Sequence, residues 1–177
     1  QIMQGSSTLE GLKQKLVDCG AVKFGDFTLT SGKKSSYYVN LKLASTEPSI
    51  LKEIAVEFAK LLPENVDFIA GMELGAVPLA TALSLETGIP YSMIRKSTRE
   101  HGTGTRIEGL SKGRAVLVDD VATTGGSNIE SIKILTDEDV EVLMVLVVVD
   151  REEGAAECMA PLNLEYKSLF LISDLVN

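Results

Sequence analysis

The 177-residue sequence contains one histidine and two cysteines, and these scarcities exclude whole classes of chemistry. Cys19 and Cys158 stand alone, without a C-x-x-C partner or a histidine-rich neighbourhood, which argues against a disulfide framework or a zinc site. Such cysteine usage makes the cytoplasm the expected compartment. Long apolar runs are also missing. The longest, Val142 to Val149, is far too short to span a bilayer. No charged stretch followed by an apolar segment and a cleavage site opens the sequence, so no export signal is expected. Positive charge is in deficit, with a formal net charge of −8 and a pI of about 4.7. Nucleic acid is therefore not the expected main partner, because a phosphate backbone needs a basic face. Repeats, linkers and low-complexity segments are absent, and the length suits one domain with a sizeable core.

What is present alternates between two periodicities. Ser7-Thr8-Leu9-Glu10 fits a capping box, Leu9, Leu12 and Leu16 follow at helical spacing, and Gly20 ends the helix. Phe24 to Tyr38 reads as short extended pieces around a turn-rich loop at 31–36. A second helix starts near Thr46 with Pro48 in its first turn, turning Ile50, Leu51, Ile54, Phe58 and Leu61 inward. Apolar strands at Val66 to Ala70, Tyr91 to Ile94, Ala115 to Val118 and Val142 to Val149 then alternate with helices at Ala76 to Glu86 and Gly126 to Leu135. This order predicts an α/β fold, an open, mainly parallel sheet flanked by helices. Arg95 to Gly109 lacks apolar periodicity and is long for a loop, which suggests a lid or a disordered segment.

The run Val116-Leu117-Val118-Asp119-Asp120-Val121-Ala122-Thr123-Thr124-Gly125-Gly126-Ser127 concentrates the chemistry. It reads as buried strand, acid pair, small-residue turn and helix start. Backbone N–H groups at such a helix start bind a phosphate, and the two glycines let the backbone approach it. The acids repel a phosphate and instead suit sugar hydroxyls or a divalent cation. Arg95, Lys96, Arg99 and Arg106 crowd one segment with His101, a basic cluster in an acidic protein that points to a small polyanion.

The acid-pair run resembles the 5-phosphoribosyl 1-diphosphate motif of the type I phosphoribosyltransferases. Three further segments resemble the orotate branch of that family. Arg95-Lys96-Ser97-Thr98-Arg99-Glu100-His101-Gly102 is similar to its mobile catalytic loop, with Arg99 where lysine is usual. Phe27 to Tyr38 is similar to its N-terminal segment, with Thr30 replacing a lysine found in some members. Asp150-Arg151-Glu152-Glu153-Gly154 follows the last apolar strand as in the family. Gly71 to Pro78 fits the family's diphosphate loop, carried here by Glu73, Leu74 and Gly75, and lacks a lysine that some relatives place at Gly75.

The resemblance implies a type I phosphoribosyltransferase fold in a single domain over 1–177. A small N-terminal hood segment spans 1–45, the core spans 46–160, and the C-terminal remainder packs back. It implies transfer of phosphoribose to orotate, giving orotidine 5-monophosphate and diphosphate in pyrimidine biosynthesis. Implied catalytic residues are Lys96, Arg99, His101, Asp119 and Asp120. The donor would be bound by these with Arg95, Val121, Ala122, Thr123, Thr124, Gly125, Gly126 and Ser127, and orotate by Thr123 and Arg151. Mg²⁺ would arrive through the donor's diphosphate, near Asp119 and Asp120, without a dedicated set of protein ligands. A homodimer sharing the mobile loop across its interface is implied as well, with neither nucleic acid nor membrane as partner. A purine-using sibling would have no use for Arg151 as a carboxylate clamp. A nucleic-acid-binding regulator is opposed by the acidic balance, and an inactive nucleotide-binding domain by the intact acid pair and lid. A fused decarboxylase is not expected at this length.

Overall fold

The structure is a computed structural model and describes residues 8–98 and 104–176. Thr8 caps α1 (Leu9–Asp18), its hydroxyl oxygen accepting from Gly11 N at 3.1 Å, and Leu12 and Leu16 are buried as their spacing predicts. The hairpin of β1 (Val22–Thr28) and β2 (Lys34–Val39) follows, antiparallel and mostly exposed. A single turn, α2 (Lys42–Ser45), leads to α3 (Pro48–Ala59), where Pro48 occupies the first turn and so forfeits no helical hydrogen bond.

The alternating part comprises β3 (Phe68–Met72), α4 (Ala76–Thr87), β4 (Tyr91–Ile94), β5 (Ile107–Glu108), β6 (Arg114–Ala122), α5 (Gly126–Asp137), β7 (Glu141–Asp150), α6 (Ala155–Met159), β8 (Glu165–Leu171) and α7 (Ile172–Leu175). Six strands form one sheet in the order β5-β4-β3-β6-β7-β8, and every neighbouring pair is parallel except β4 with β5. Strand alternation sends Val116 and Val118 of β6 to a core shared with α1, α3 and α4, which contribute Leu16, Phe58 and Leu83. Ala115 and Leu117 go to the opposite core, with Ile132 and Leu135 of α5. The central strands are apolar on both faces because helices cover both. Among the described residues no helix is long and apolar enough to cross a membrane. Cys19 and Cys158 are both free thiols.

Three elements depart from the sequence-based expectations. β6 does not stop at Val118: it stays paired with β7 through Asp119–Val147, Val121–Val149 and Ala122–Asp150, so the acid pair lies within a strand. Backbone pairing is indifferent to side-chain polarity, and the acids are only partly buried, at the wall of a cavity. The segment expected to be one long loop contains β5, whose Ile107 is buried beside Ile94. Residues beyond 160, where no strand was expected, supply β8, the edge strand of the core sheet.

Candidate active site

Parallel pairing brings the carboxyl ends of β3, β4, β6 and β7 to one edge of the sheet, where ligands bind in such folds. The loops that leave this edge carry the residues singled out by sequence. After β6, Thr123 and Thr124 are exposed, and Gly125 has φ +91°, a conformation that suits glycine. A Cβ at Gly125 would also lie 3.2 Å from Ala155 Cα, so α6 can pack against the turn only because no side chain is there. No side chain caps α5, and its first backbone bond is Ile129 N to Gly125 O at 2.9 Å. The N–H groups of Gly126, Ser127 and Asn128 therefore have no acceptor within the helix, which makes the turn an anion cradle.

Asp119 and Asp120 stand beside this cradle with different supports. Asp119 Oδ2 accepts from Asn128 Nδ2 at 3.0 Å, and its Oδ1 accepts from Asp120 N at 2.9 Å. Asp120 Oδ1 accepts from Val121 N at 2.8 Å, and its Oδ2 lies 4.0 Å from Lys42 Nζ. Burial and, second, the Asp120 charge push the Asp119 carboxyl up from 3.8 to about 7. The pair is thus poised to gain full negative charge when positive charge appears nearby. Asn128, buried on the first turn of α5, escapes sequence reasoning because a lone asparagine there looks like any polar helix residue.

The diphosphate loop lies across the edge. Glu73 N donates to Ile94 O at 2.9 Å, Glu73 Oε1 accepts from Lys96 N at 2.6 Å, and the Glu73–Leu74 peptide is cis. Leu74 is exposed, and a Cβ at Gly75 would collide with the Asp120 carboxylate. Glu73, Gly75, Lys96, Asp119, Asp120 and Ser127 line one cavity of about 380 Å³.

Arg95 and Arg106 both have acidic partners within the chain. Arg95 Nε pairs with Glu108 Oε1 at 2.9 Å. Arg106 donates to the carbonyls of Arg95 and Lys96 and meets Glu130 Oε1 at 3.0 Å, so it ties the base of the loop together. Arg99 and His101 lie outside the described residues.

Arg151 follows β7, with its N–H bound to Ala122 O at 2.9 Å. Its guanidinium carbon sits 5.0 Å from the centre of the Tyr37 ring, and the Tyr37 hydroxyl donates to Arg151 O at 3.4 Å. Arg151 Nε is buried without a hydrogen bond, although Glu153 Oε2 is 3.4 Å away. An orphaned guanidinium nitrogen of this kind calls for an acceptor. The turn holding Arg151 is fixed by buried Asp150, which accepts from Glu152 N and from the Tyr166 hydroxyl, both at 2.7 Å. Arg151, Thr123 and Thr124 face Thr30, Lys33 and Tyr38 of the hairpin across a second cavity of about 720 Å³.

Of the expected site residues, Glu73, Leu74, Gly75, Lys96, Asp119, Asp120, Val121 and Ser127 line the smaller cavity and Thr123, Thr124 and Arg151 the larger, whereas Arg95, Ala122, Gly125 and Gly126 line neither. Ala122 is buried in the core and offers its carbonyl to Arg151, and Val121 is partly buried at the edge of the smaller cavity. These two residues space the acids from the cradle. Lys42 was not singled out by any sequence pattern, since it stands in a short apolar turn just outside the 27–38 segment.

Residues 45–161 match the phosphoribosyl transferase domain. The chain is 51% identical to an orotate phosphoribosyltransferase of Pyrococcus abyssi over 171 residues, covering 94% of each protein. Among solved structures it resembles orotate phosphoribosyltransferase from Aeropyrum pernix, with a TM-score of 0.79, 33% identity, and coverage of 93% of this chain and 96% of that one. It also resembles the Mycobacterium tuberculosis orotate phosphoribosyltransferase in complex with 5-phospho-alpha-D-ribosyl 1-diphosphate, with a TM-score of 0.79, 28% identity, and coverage of 96% and 99%. With a family model matched over most of its length and relatives of this identity and coverage, the chain belongs to the orotate phosphoribosyltransferase family.

Proposed function

We propose that the two cavities hold the two halves of one reaction, transfer of the 5-phosphoribosyl group from 5-phosphoribosyl 1-diphosphate to orotate. The products are orotidine 5-monophosphate and diphosphate, and the reaction serves pyrimidine biosynthesis. The observation that carries this reading is the placement of Arg151. Arg151 lines the cavity bounded by the phosphate turn, its Nε without a hydrogen bond and 3.4 Å from Glu153 Oε2, and its guanidinium can meet the planar carboxylate of orotate fork to fork.

No protein nucleophile is needed. A bond forms between the pyrimidine nitrogen and the anomeric carbon as the bond to diphosphate breaks, and positive charge develops on the ribose. The work left to the chain is alignment and electrostatic stabilisation. The amides of the Thr123–Ser127 turn hold the 5-phosphate. Asp119 and Asp120 hold the ribose hydroxyls and favour the cationic sugar. Arg151, kept in plane by Tyr37, holds the base. Lys96 and the loop that follows, including Arg99 and His101, close over the diphosphate and exclude water.

Magnesium suits these residues. Among the described residues no group of three or more acidic, histidine or cysteine side chains is placed to hold a metal, whereas Mg²⁺ is commonly bound by one or two carboxylates together with substrate phosphates. The ion would enter with the donor's diphosphate, with Asp119 and Asp120 nearby, and would neutralise charge on the leaving group. A cytoplasmic homodimer, with the loop reaching the neighbouring site, completes the proposal and rests on family resemblance. The test is spectrophotometric: orotate should be consumed with the donor and Mg²⁺, while adenine, hypoxanthine and uracil should not. Consumption of a purine in preference to orotate would overturn the assignment.

A further inference from the structure

The diphosphate loop offers no cation of its own. Its side chains are a carboxylate at Glu73 and an exposed aliphatic group at Leu74, and position 75 has none. Nor can position 75 carry one while Asp120 stays where it is, because a Cβ there would strike the Asp120 carboxylate. Yet a diphosphate must enter a cavity already lined by Glu73, Asp119 and Asp120. Like charges at such distances oppose binding unless cations offset them.

Among the described residues lining this cavity the cations are Lys96 and Lys42. Lys42 comes from α2, outside the basic segment that carries Lys96. Its Nζ stands 4.0 Å from Asp120 Oδ2, the limit of an ion pair, and its side chain is 55% exposed. An exposed pair at that separation contributes little to stability. Asp120 is already oriented by Val121 N at 2.8 Å, so it does not depend on the lysine.

We propose that Lys42 is a substrate-binding residue whose ammonium contacts the diphosphate of the donor, acting from α2 where the 73–75 loop has no cation to offer. A compact ammonium on a flexible stem is suited to a multiply charged group that arrives and then leaves. The inference rests on the donor-binding reading of this cavity and names the residue that binds the leaving group.

The test compares inorganic diphosphate with orotidine 5-monophosphate, each titrated calorimetrically in the presence of Mg²⁺. Both engage this edge of the sheet, but only the first occupies the leaving-group position. Lys42→Ala should weaken diphosphate and raise the donor KM by about tenfold or more, the scale of one charge-assisted contact, and leave orotidine 5-monophosphate within about twofold. Lys42→Arg should keep most of the diphosphate affinity. Equal weakening of both ligands would overturn the proposal and make Lys42 a prop for Asp120. Unchanged diphosphate binding would also overturn it. If the unsubstituted protein bound neither ligand, the donor reading itself would fall, and the inference with it. Melting curves of both variants, expected to match the parent, separate these outcomes from a folding defect.

Discussion

The two sides of the cleft are built differently. The sugar-phosphate side is the junction of β6 and α5, rooted in a strand buried from Ala115 to Val118 and in a helix that buries Asn128, Ser131, Ile132 and Leu135. The base side is a two-stranded hairpin with only Val22 buried, closed by one arginine held against Tyr37. An isolated hairpin is marginal by itself, whereas a central strand cannot shift without unpacking the core. On the proposed assignment, the chemistry common to phosphoribosyl transfer is set in the well-buried frame, and the choice of base sits on the less buried hairpin.

Substitutions on each side should separate the two roles. The largest effect is expected for Asp119→Asn with Asp120→Asn, which should lower kcat/KM by about 10³-fold or more while the circular dichroism spectrum is retained. Near-normal turnover would remove the acids from the sugar site. Next, Arg151→Ala should raise the KM for orotate by about 10²-fold, since a charge-assisted hydrogen bond is worth about 1.5–3 kcal/mol, and should leave the donor KM nearly unchanged. Equal loss for both ligands would erase the division between the sides.

The raised Asp119 carboxyl gives a smaller, signed effect. Its folded value of about 7 exceeds the ordinary 3.8, so between these limits the folded state binds more protons than the unfolded one. This group's contribution to stability falls as pH rises through that window, and above pH 7 the buried charge is fully present. Asp119→Asn should therefore raise the melting temperature at pH 8 by about 2–4 °C per kcal/mol relieved, and by less at pH 5. The reverse order would contradict the burial of that charge. Smallest of all, Tyr37→Leu should weaken orotate by about two- to fivefold through loss of a cation–π contact of about 0.5–1 kcal/mol. Tyr37→Phe should stay close to the parent in a steady-state assay.

Much of this site could be read before the fold was known, because phosphate binding at a helix start needs small residues, amides and glycine in a fixed local order. Asp119 to Ser127 carries that order within one stretch of chain. Arg151 was legible for a similar reason, lying directly after an apolar strand. Lys42 and Asn128 were harder to see, since their contacts run across the fold and no local spacing encodes them. The same applies to β8: its exposed and half-buried residues give an edge strand no continuous apolar run, and only its pairing with β7 reveals it. Arg106 carries the opposite lesson. Its charge joins the basic cluster in sequence, but its side chain is spent on backbone carbonyls and Glu130.

The most direct measurement is a crystal structure with orotidine 5-monophosphate bound. The phosphate should accept hydrogen bonds from the amides between Thr123 and Ser127, the ribose hydroxyls should lie on Asp119 and Asp120, and the base carboxylate should meet Arg151. A nucleotide bound with its phosphate away from the start of α5, or its base turned from Arg151, would contradict the account.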